Sequence, residues 1–500
     1  MQRRDFLKTL GVGAGAAVVG AEFFTQTTHA LSAPAAVSEA QQSADEVWRA
    51  LNRLTFGPRP GQVEAVRKQG LENWLKVQMN PLAIDDSAVE KRLGDFITLD
   101  MTNSELVSQK GAQQGKVVYE LDAATVMRSI YSPRELHEVM VNFWSEHFSI
   151  WHEKELDKVF KTADDRDVIR KNTFTTYRQI LGASAKSPAM LIYLDNAESN
   201  KKHPNENYAR EVMELHTITI GHYTEDDVKE VARCFTGWTI QGLRDPNPGE
   251  FKFDARIHDN GAKKVLGQVF PAGGGIDDGE RVLDMLAANP GTAELIANKL
   301  ARRFIADTPP DDAVQAGKQA FLNSKGDIKA TLLAILNTPA FRTAPPKYKR
   351  PYEYLVSLFR ALDVQIDKLQ PGVLGILRNM GHLPFDWITP DGYSDYAANW
   401  EGNMLGRWNL AIDTLSNKVP GVHVDLNALV RGQNVPIEPN AVVNFFAQHL
   451  YGRPMTNAES AEILGYMNKK GTPDLTQDLG RRMVNETLAL MLAAPAFQFR

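Results

Sequence analysis

The chain is almost without cysteine. Cys234 is the only one in 500 residues, so no intramolecular disulfide can form. It lies between Arg233 and Phe235 in a stretch that reads as helix, where a small buried hydrophobe is expected and a reactive thiol is the alternative. Stability must then come from core size, which this length permits. Basic tracts are missing as well. Lys and Arg number 56 against 61 Asp and Glu, a formal net charge of −5, and with no RNA-type motif present no nucleic-acid partner is expected. Past the first 30 residues no apolar run approaches the ~20 residues of a membrane span, so no stable membrane insertion is expected. Two enzyme signatures are absent too. Pro271-Ala272-Gly273-Gly274-Gly275 is not followed by Gly-Lys-Ser/Thr, so it is no nucleotide loop and reads as a hinge or lobe boundary. His137-Glu138 and His152-Glu153 begin like the zinc-protease motif, but Val141 and Leu156 occupy its second histidine position.

What is present starts with an address. Arg3 and Arg4 open Arg-Arg-Asp-Phe-Leu-Lys, and Thr9 to Phe24 is apolar but rich in Gly and Ala. This resembles the twin-arginine signal, read by a dedicated translocase that carries folded proteins. Thr28-His29-Ala30 offers a cleavage site after Ala30, with Ser32 to Ala36 as a second region. A short membrane anchor is the alternative, but the run is short for one. Gly11-Val-Gly13-Ala-Gly15-Ala16 matches a dinucleotide fingerprint, yet no strand precedes it, so that match is rejected. Residues 1–30 are thus read as a signal peptide, and the remainder is expected in the periplasm or outside the cell.

The rest is read as mainly α, a large multi-helix body that allows two lobes. Residues 31–44 form an Ala-, Ser- and Gln-rich leader. An N-terminal helical lobe covers 45–270 and a C-terminal one 271–500. Helical spacing recurs from Asp45, through Val63 to Leu75, from Ser132 with a capping box to Glu135, around 165–186, from Asn205 to His216, and after Thr224. A small β element is expected near 238–270, at Trp238–Ile240, Phe251–Phe253 and Val265–Gly267. Two segments of the second half resemble each other: Leu332–Leu336 leads into Thr338-Pro339-Ala340-Phe341, and Leu488–Leu492 into Ala494-Pro495-Ala496-Phe497. Two copies do not establish a repeat fold.

The densest polar segment is Asn205 to His216. At 100° per residue, Asn207, Glu211 and Glu214 share one face. Two carboxylates a turn apart can hold a divalent cation, or divide into acid and base where their surroundings differ. Glu211, Glu214 and the neighbouring Arg210 are therefore the catalytic candidates. The alternative is a solvated face with Arg210 paired to Glu206 or Glu214. His216 joins the carboxylates only if the helix has ended before it. His147 closes the stripe Leu136, Met140, Phe143 and is either a hydrogen-bonded core residue or a ligand. His258-Asp259, before Asn260-Gly261, is either a simple turn or a further ligand pair. The metal candidates are thus His147, Glu211, Glu214, His216, His258 and Asp259. Lys299, Arg302 and Arg303 read as a basic patch, a solvated face by default and an anion subsite as the minority reading.

The order of these blocks resembles the bacterial family catalogued as domain of unknown function 1800. The matching blocks are Leu51–Gly61, Phe143–Ser149, Pro188–Asn196, Asn205–His216, Tyr223–Val228, Phe235–Trp238, His258-Asp259 and Pro495–Gln498, spread from about residue 45 to the C-terminus. The resemblance implies a mostly helical exported protein and no established activity. It also implies a partner, since such proteins often accompany an exported sulfatase-like family. The family's aromatic block commonly reads Trp-His-x-His-Phe, and Ser145 stands here for its first His. Two functions follow as expectations. One is a metal-dependent periplasmic enzyme of hydrolytic or redox type, since folded export lets a cofactor be inserted beforehand. The other is a non-catalytic binding or assembly protein working with the co-exported sulfatase-like partner.

Overall fold

Asp45 starts the first described helix by accepting the Trp48 N–H on its carboxylate at 2.9 Å. In this computed structural model residues 44–402, 404–469 and 471–500 are described; the segment read as a signal peptide and nearly all of that read as a leader lie outside them. Helix α1 (Glu46–Leu54) buries Trp48, Leu51 and Leu54. The single helix expected from Val63 to Leu75 is two, α2 (Gln62–Gln69) and α3 (Leu71–Gln78). Gly70, at φ +86°, separates them in a conformation that L side chains rarely adopt.

Helix α4 (Ala112–Tyr131) has no clean apolar stripe to announce it. Glu120, Asp122, Thr125 and Ser129 are buried along with Val117, Leu121 and Ile130. Helix α5 (Glu135–His147) forms, but the expected capping box does not. Ser132 Oγ accepts from Arg134 N at 3.0 Å and donates to Asp86 at 2.9 Å. The Glu135 carboxylate is taken by the Arg360 guanidinium and by Gln62 Nε2 at 2.6 Å. A buried tertiary ion pair has displaced a local cap. The helix expected around 165–186 is also broken up. Helix α6 (Asp157–Ala163) runs into a π-helical stretch, Asp164–Arg170, and α7 (Tyr177–Ala185) starts afresh from a Thr176–Gln179 capping box. Helices α8 (Glu206–Glu214) and α9 (Glu225–Phe235) follow, with Asn205 and Thr224 as their caps.

The β element consists of two antiparallel pairs. Strands β1 (Trp238–Ile240) and β2 (Phe251–Phe253) pair with each other, as do β3 (Lys263–Val265) and β4 (Gln268–Phe270). The β3–β4 turn puts both Leu266 and Gly267 at positive φ, the twist that suits a two-residue hairpin. Helices then resume with α10 (Ile276–Ala287), α11 (Pro290–Phe304), α12 (Asp311–Asn323), α13 (Ile328–Leu336), α14 (Pro351–Ala361), α15 (Met404–Leu415) and α16 (Asp478–Ala493). Helix α12 packs between α11 and α13. Gly317 permits this close approach, because a Cβ there would lie 2.8 Å from the Ile335 side chain. The two resembling segments are each a helix followed by a short proline-started helix, Pro339–Arg342 and Pro495–Gln498.

The protein is mainly α: 25 helices stand against two small sheets among the described residues. None of the described helices is long and apolar enough to cross a membrane. One cluster of buried apolar side chains runs from Ala50 to Phe497, across the 271–275 segment. Charges are buried within it. The Glu353 carboxylate is bonded by the Arg303 guanidinium, with Arg350 Nε and Arg500 Nε each 3.3 Å away.

Candidate functional site

Helix α8 presents its polar face half-buried. Asn207 donates to Asp195 at 3.1 Å, and Glu214 accepts the Tyr223 hydroxyl at 2.6 Å. Glu211 sits between them, and its carboxyl is pushed up, first by burial and then by the neighbouring Glu214, with Asp391 adding to the effect. Arg210 faces elsewhere. It forms a two-point pair with Glu225, both contacts 2.7 Å, and reaches Glu206 at 3.7 Å. Its partner is thus the start of α9 rather than Glu214.

The helix ends at Glu214, and the chain then turns inward. His216 N–H donates to the Glu211 carbonyl at 3.2 Å, and the His216 ring is buried against Phe148 and His147, with ring centres 5.0 and 5.7 Å apart. His147 comes from the last turn of α5. Its Nε2 lies 3.0 Å from the Tyr177 hydroxyl, and its Nδ1 3.0 Å from Lys299 Nζ of α11. The Tyr177 hydroxyl donates to the His216 carbonyl. With that proton committed, Tyr177 accepts from His147 Nε2–H, and His147 Nδ1 is left to accept from Lys299. The tautomer follows from the hydrogen bonds.

The electrostatics of this group are displaced from normal. Burial holds His147 well below 6.5, with Lys299 and His216 adding to it. Burial and Lys299 push His216 down to about 3. Burial and Arg302 push the Lys299 amine down to about 8, against the pull of Asp391, Asp395 and Glu146. His216 Nε2 is buried and has no hydrogen-bond partner. The loop Trp387–Tyr393 borders the site. It is fixed by Tyr193, whose hydroxyl donates to the Ile388 carbonyl at 2.7 Å, and by Tyr393 N–H, which donates to Glu146 at 2.9 Å. Asp391 of this loop is exposed and bears on the ionisation of both Lys299 and Glu211. Asp391 is held in its own loop by Trp387 Nε1 at 2.9 Å and Thr389 Oγ1 at 2.5 Å, and acts on both groups through its charge.

The other candidates lie in different surroundings. His258 Nδ1 donates to the Thr236 carbonyl at 2.7 Å, and its Nε2 is 3.3 Å from Asp278, which Lys263 pairs at 2.7 Å. Asp259 is held by Arg233 at 2.8 Å. Neither shares a partner with His147 or Glu211, so the six metal candidates divide over three environments. Among the described residues no group of three or more His, Cys, Asp or Glu is arranged to hold a metal ion. The basic patch divides as well. Arg303 is buried on Glu353, Lys299 faces His147, and Arg302 stacks over Tyr396 with its guanidinium carbon 4.7 Å from the ring centre. Ser145 has a buried hydroxyl without a partner and lines a 20 Å³ cavity with Glu138, Arg170 and Glu146. Cys234 is buried, and burial pushes its thiol up to about 12.

Two members of the central group carry little sequence signal. Tyr177 lies in a segment without a motif, and Lys299 reads as part of a surface patch. Asp391 falls in a loop marked only by its aromatic and turn residues.

A family model described as a protein of unknown function (DUF1800) matches residues 49–499. No curated protein and no solved structure matches the chain.

Proposed function

The chain belongs to the DUF1800 family of proteins of unknown function, and from that premise we propose an exported hydrolytic enzyme whose proton-handling pair is Lys299 and His147, facing Glu211 and Glu214. One contact carries the reading: Lys299 Nζ lies 3.0 Å from His147 Nδ1, with His147 buried and Lys299 half-buried. A neutral Lys299 amine can keep one N–H on His147 Nδ1 and turn its lone pair to an incoming water. Titration at about 8 leaves a useful fraction of the amine neutral near physiological pH. Glu211, raised toward its protonated form, is the matching acid for a leaving group. Clustering of displaced ionisations in one region is a usual mark of a catalytic centre. Asp391 and Glu214 give that region negative charge, so a substrate with a cationic or polar group beside the scissile bond fits it.

Two measurements test this. Reductive ¹³C-methylation followed by NMR, assigned with Lys299→Arg, should find the Lys299 amine titrating near 8. A value at the ordinary 10.5 would remove the base. Activity in a panel of chromogenic esters, phosphates and sulfates should fall about 100-fold or more in Lys299→Met with the fold intact; a fully active Lys299→Met would place the chemistry elsewhere.

The export reading is part of the same proposal. Arg3 and Arg4 would commit the chain to the twin-arginine translocase and the periplasm. The double replacement Arg3→Lys, Arg4→Lys should retain the protein in the cytoplasm on fractionation. Unchanged export would assign the leader to another route.

A further inference from the structure

We infer that the groove between α1, α3 and residues 336–346 binds a single-chain anionic amphiphile, an acyl or alkyl chain of modest length ending in a carboxylate or a phosphate. The groove is not lined by Lys299 or His147 and has a volume of 290 Å³. That is at the lower edge of the roughly 300–1,000 Å³ of small-ligand pockets, so it takes a short chain.

Its walls are of two kinds. Leu54, Leu71, Leu75, Leu336 and Phe341 supply an apolar trough. Arg49, Arg53, Arg342 and Arg500 also line it, against two acidic residues, Glu46 and Glu72. Glu72 is already held by Lys76 at 2.8 Å, on the outer side of α3. Arg53 and Arg500 are buried, and Arg500 is paired with Glu353 at 3.3 Å, which leaves Arg53 as the buried cation without an ion pair. Its guanidinium rests on backbone oxygens alone, donating through Nη1 to Ile305 at 2.7 Å and Phe304 at 3.3 Å, and through Nη2 to Pro345. Among the described residues no carboxylate lies within ion-pair distance of Arg53 or Arg342.

A buried arginine without a carboxylate is costly. Burial and the neighbouring Arg500 push Arg53 down to about 9, against the pull of the more distant Glu353 and Asp307. An anion at the mouth, near exposed Arg342, would offset that charge at a distance from the carbonyl oxygens that already hold Arg53. Meanwhile the apolar trough would take up the chain, each buried methylene contributing about 0.8 kcal/mol. A purely apolar ligand would leave Arg53 and Arg342 without an anion, and an inorganic anion would leave the trough wet.

The test is isothermal titration of the full chain with sodium decanoate, decyl phosphate, decanol and decyltrimethylammonium. One saturable site is expected for an anionic decyl compound, with decanol and the cation weaker by about tenfold or more. Decanoate alone, decyl phosphate alone, or both would identify the headgroup. Arg342→Glu, at an exposed position, should weaken the anionic ligand by about tenfold while the thermal midpoint is unchanged. Leu75→Glu should do the same from the apolar wall, and if it fails to fold, Arg342→Glu suffices. Equal affinity for decanol and decanoate, full affinity in folded Arg342→Glu, or the absence of any saturable site would overturn the inference.

Discussion

Glu353 is a single carboxylate shared among three buried arginines, Arg303, Arg350 and Arg500. Burial opposes its charge, but those three guanidinium groups together hold it ionised well below the usual carboxylate range. Removing it would leave buried cations unmatched, a change that typically costs about 3–5 kcal/mol. Glu353→Gln is therefore expected to lose about that much in chemical denaturation, and a loss under about 1 kcal/mol would mean that Asp395 compensates. Lys299 gives a prediction of opposite character. Its folded value of about 8 lies below the ordinary 10.5, so between these two pH values the unfolded chain binds more protons. Stability contributed by this group thus rises as pH climbs from 8 to 10.5. Lys299→Met should flatten that segment of the pH–stability curve, a difference read by urea midpoints of the two proteins over that range.

At the scale of elements, local chemistry predicts some boundaries and tertiary demand overrules others. The Thr224–Asp227 box forms as its sequence indicates, and Asp227 also accepts the Leu266 N–H at 2.7 Å, so the cap of α9 doubles as an anchor for the β3–β4 hairpin. Thr224→Ala should cost about 1 kcal/mol, measurable by urea denaturation. Ser132–Glu135 carries the same signature and forms no box, because Arg360 and Gln62 claim Glu135; nothing local to that segment reveals residues more than 70 positions away. The same reasoning separates what was legible in the candidate site. His147 and the α8 carboxylates stand out by spacing. Tyr177 and Lys299 become site residues only when α5, α7 and α11 pack together, and no periodicity encodes that meeting. The bordering loop depends on Gly392, whose φ is +74° and whose Cβ would strike the Glu146 backbone carbonyl. Gly392→Ala should cost more than about 1 kcal/mol. It should also speed hydrogen exchange at Tyr393, whose N–H now donates to Glu146.

The whole molecule buries several histidines in their neutral form. Burial pushes His216 down to about 3 and His449 down to about 4, and lowers His147 and His382 also. In the unfolded chain these rings take up protons near 6.5. Their stabilising effect is complete above that value and lost as pH falls from 6.5 toward 4 and 3. His152 works the other way: burial pulls it down, but Asp122, 3.4 Å away, overrides this and raises it. The net expectation is a thermal midpoint that drops steeply between pH 6.5 and 4, with a slope exceeding one proton, or about 1.4 kcal/mol per pH unit. Calorimetry across that range checks it, and a flat profile would mean that the rings are not buried neutral. The Glu353 network also has a consequence in time. Its cations come from positions 303, 350 and 500 of one chain. At roughly 5–20 residues per second of synthesis, the carboxylate leaves the ribosome roughly 7–30 s before Arg500 does. Arg303 and Arg350 are made before the carboxylate, so the network can begin to assemble around those two during synthesis, and Arg500 is the last guanidinium to join it.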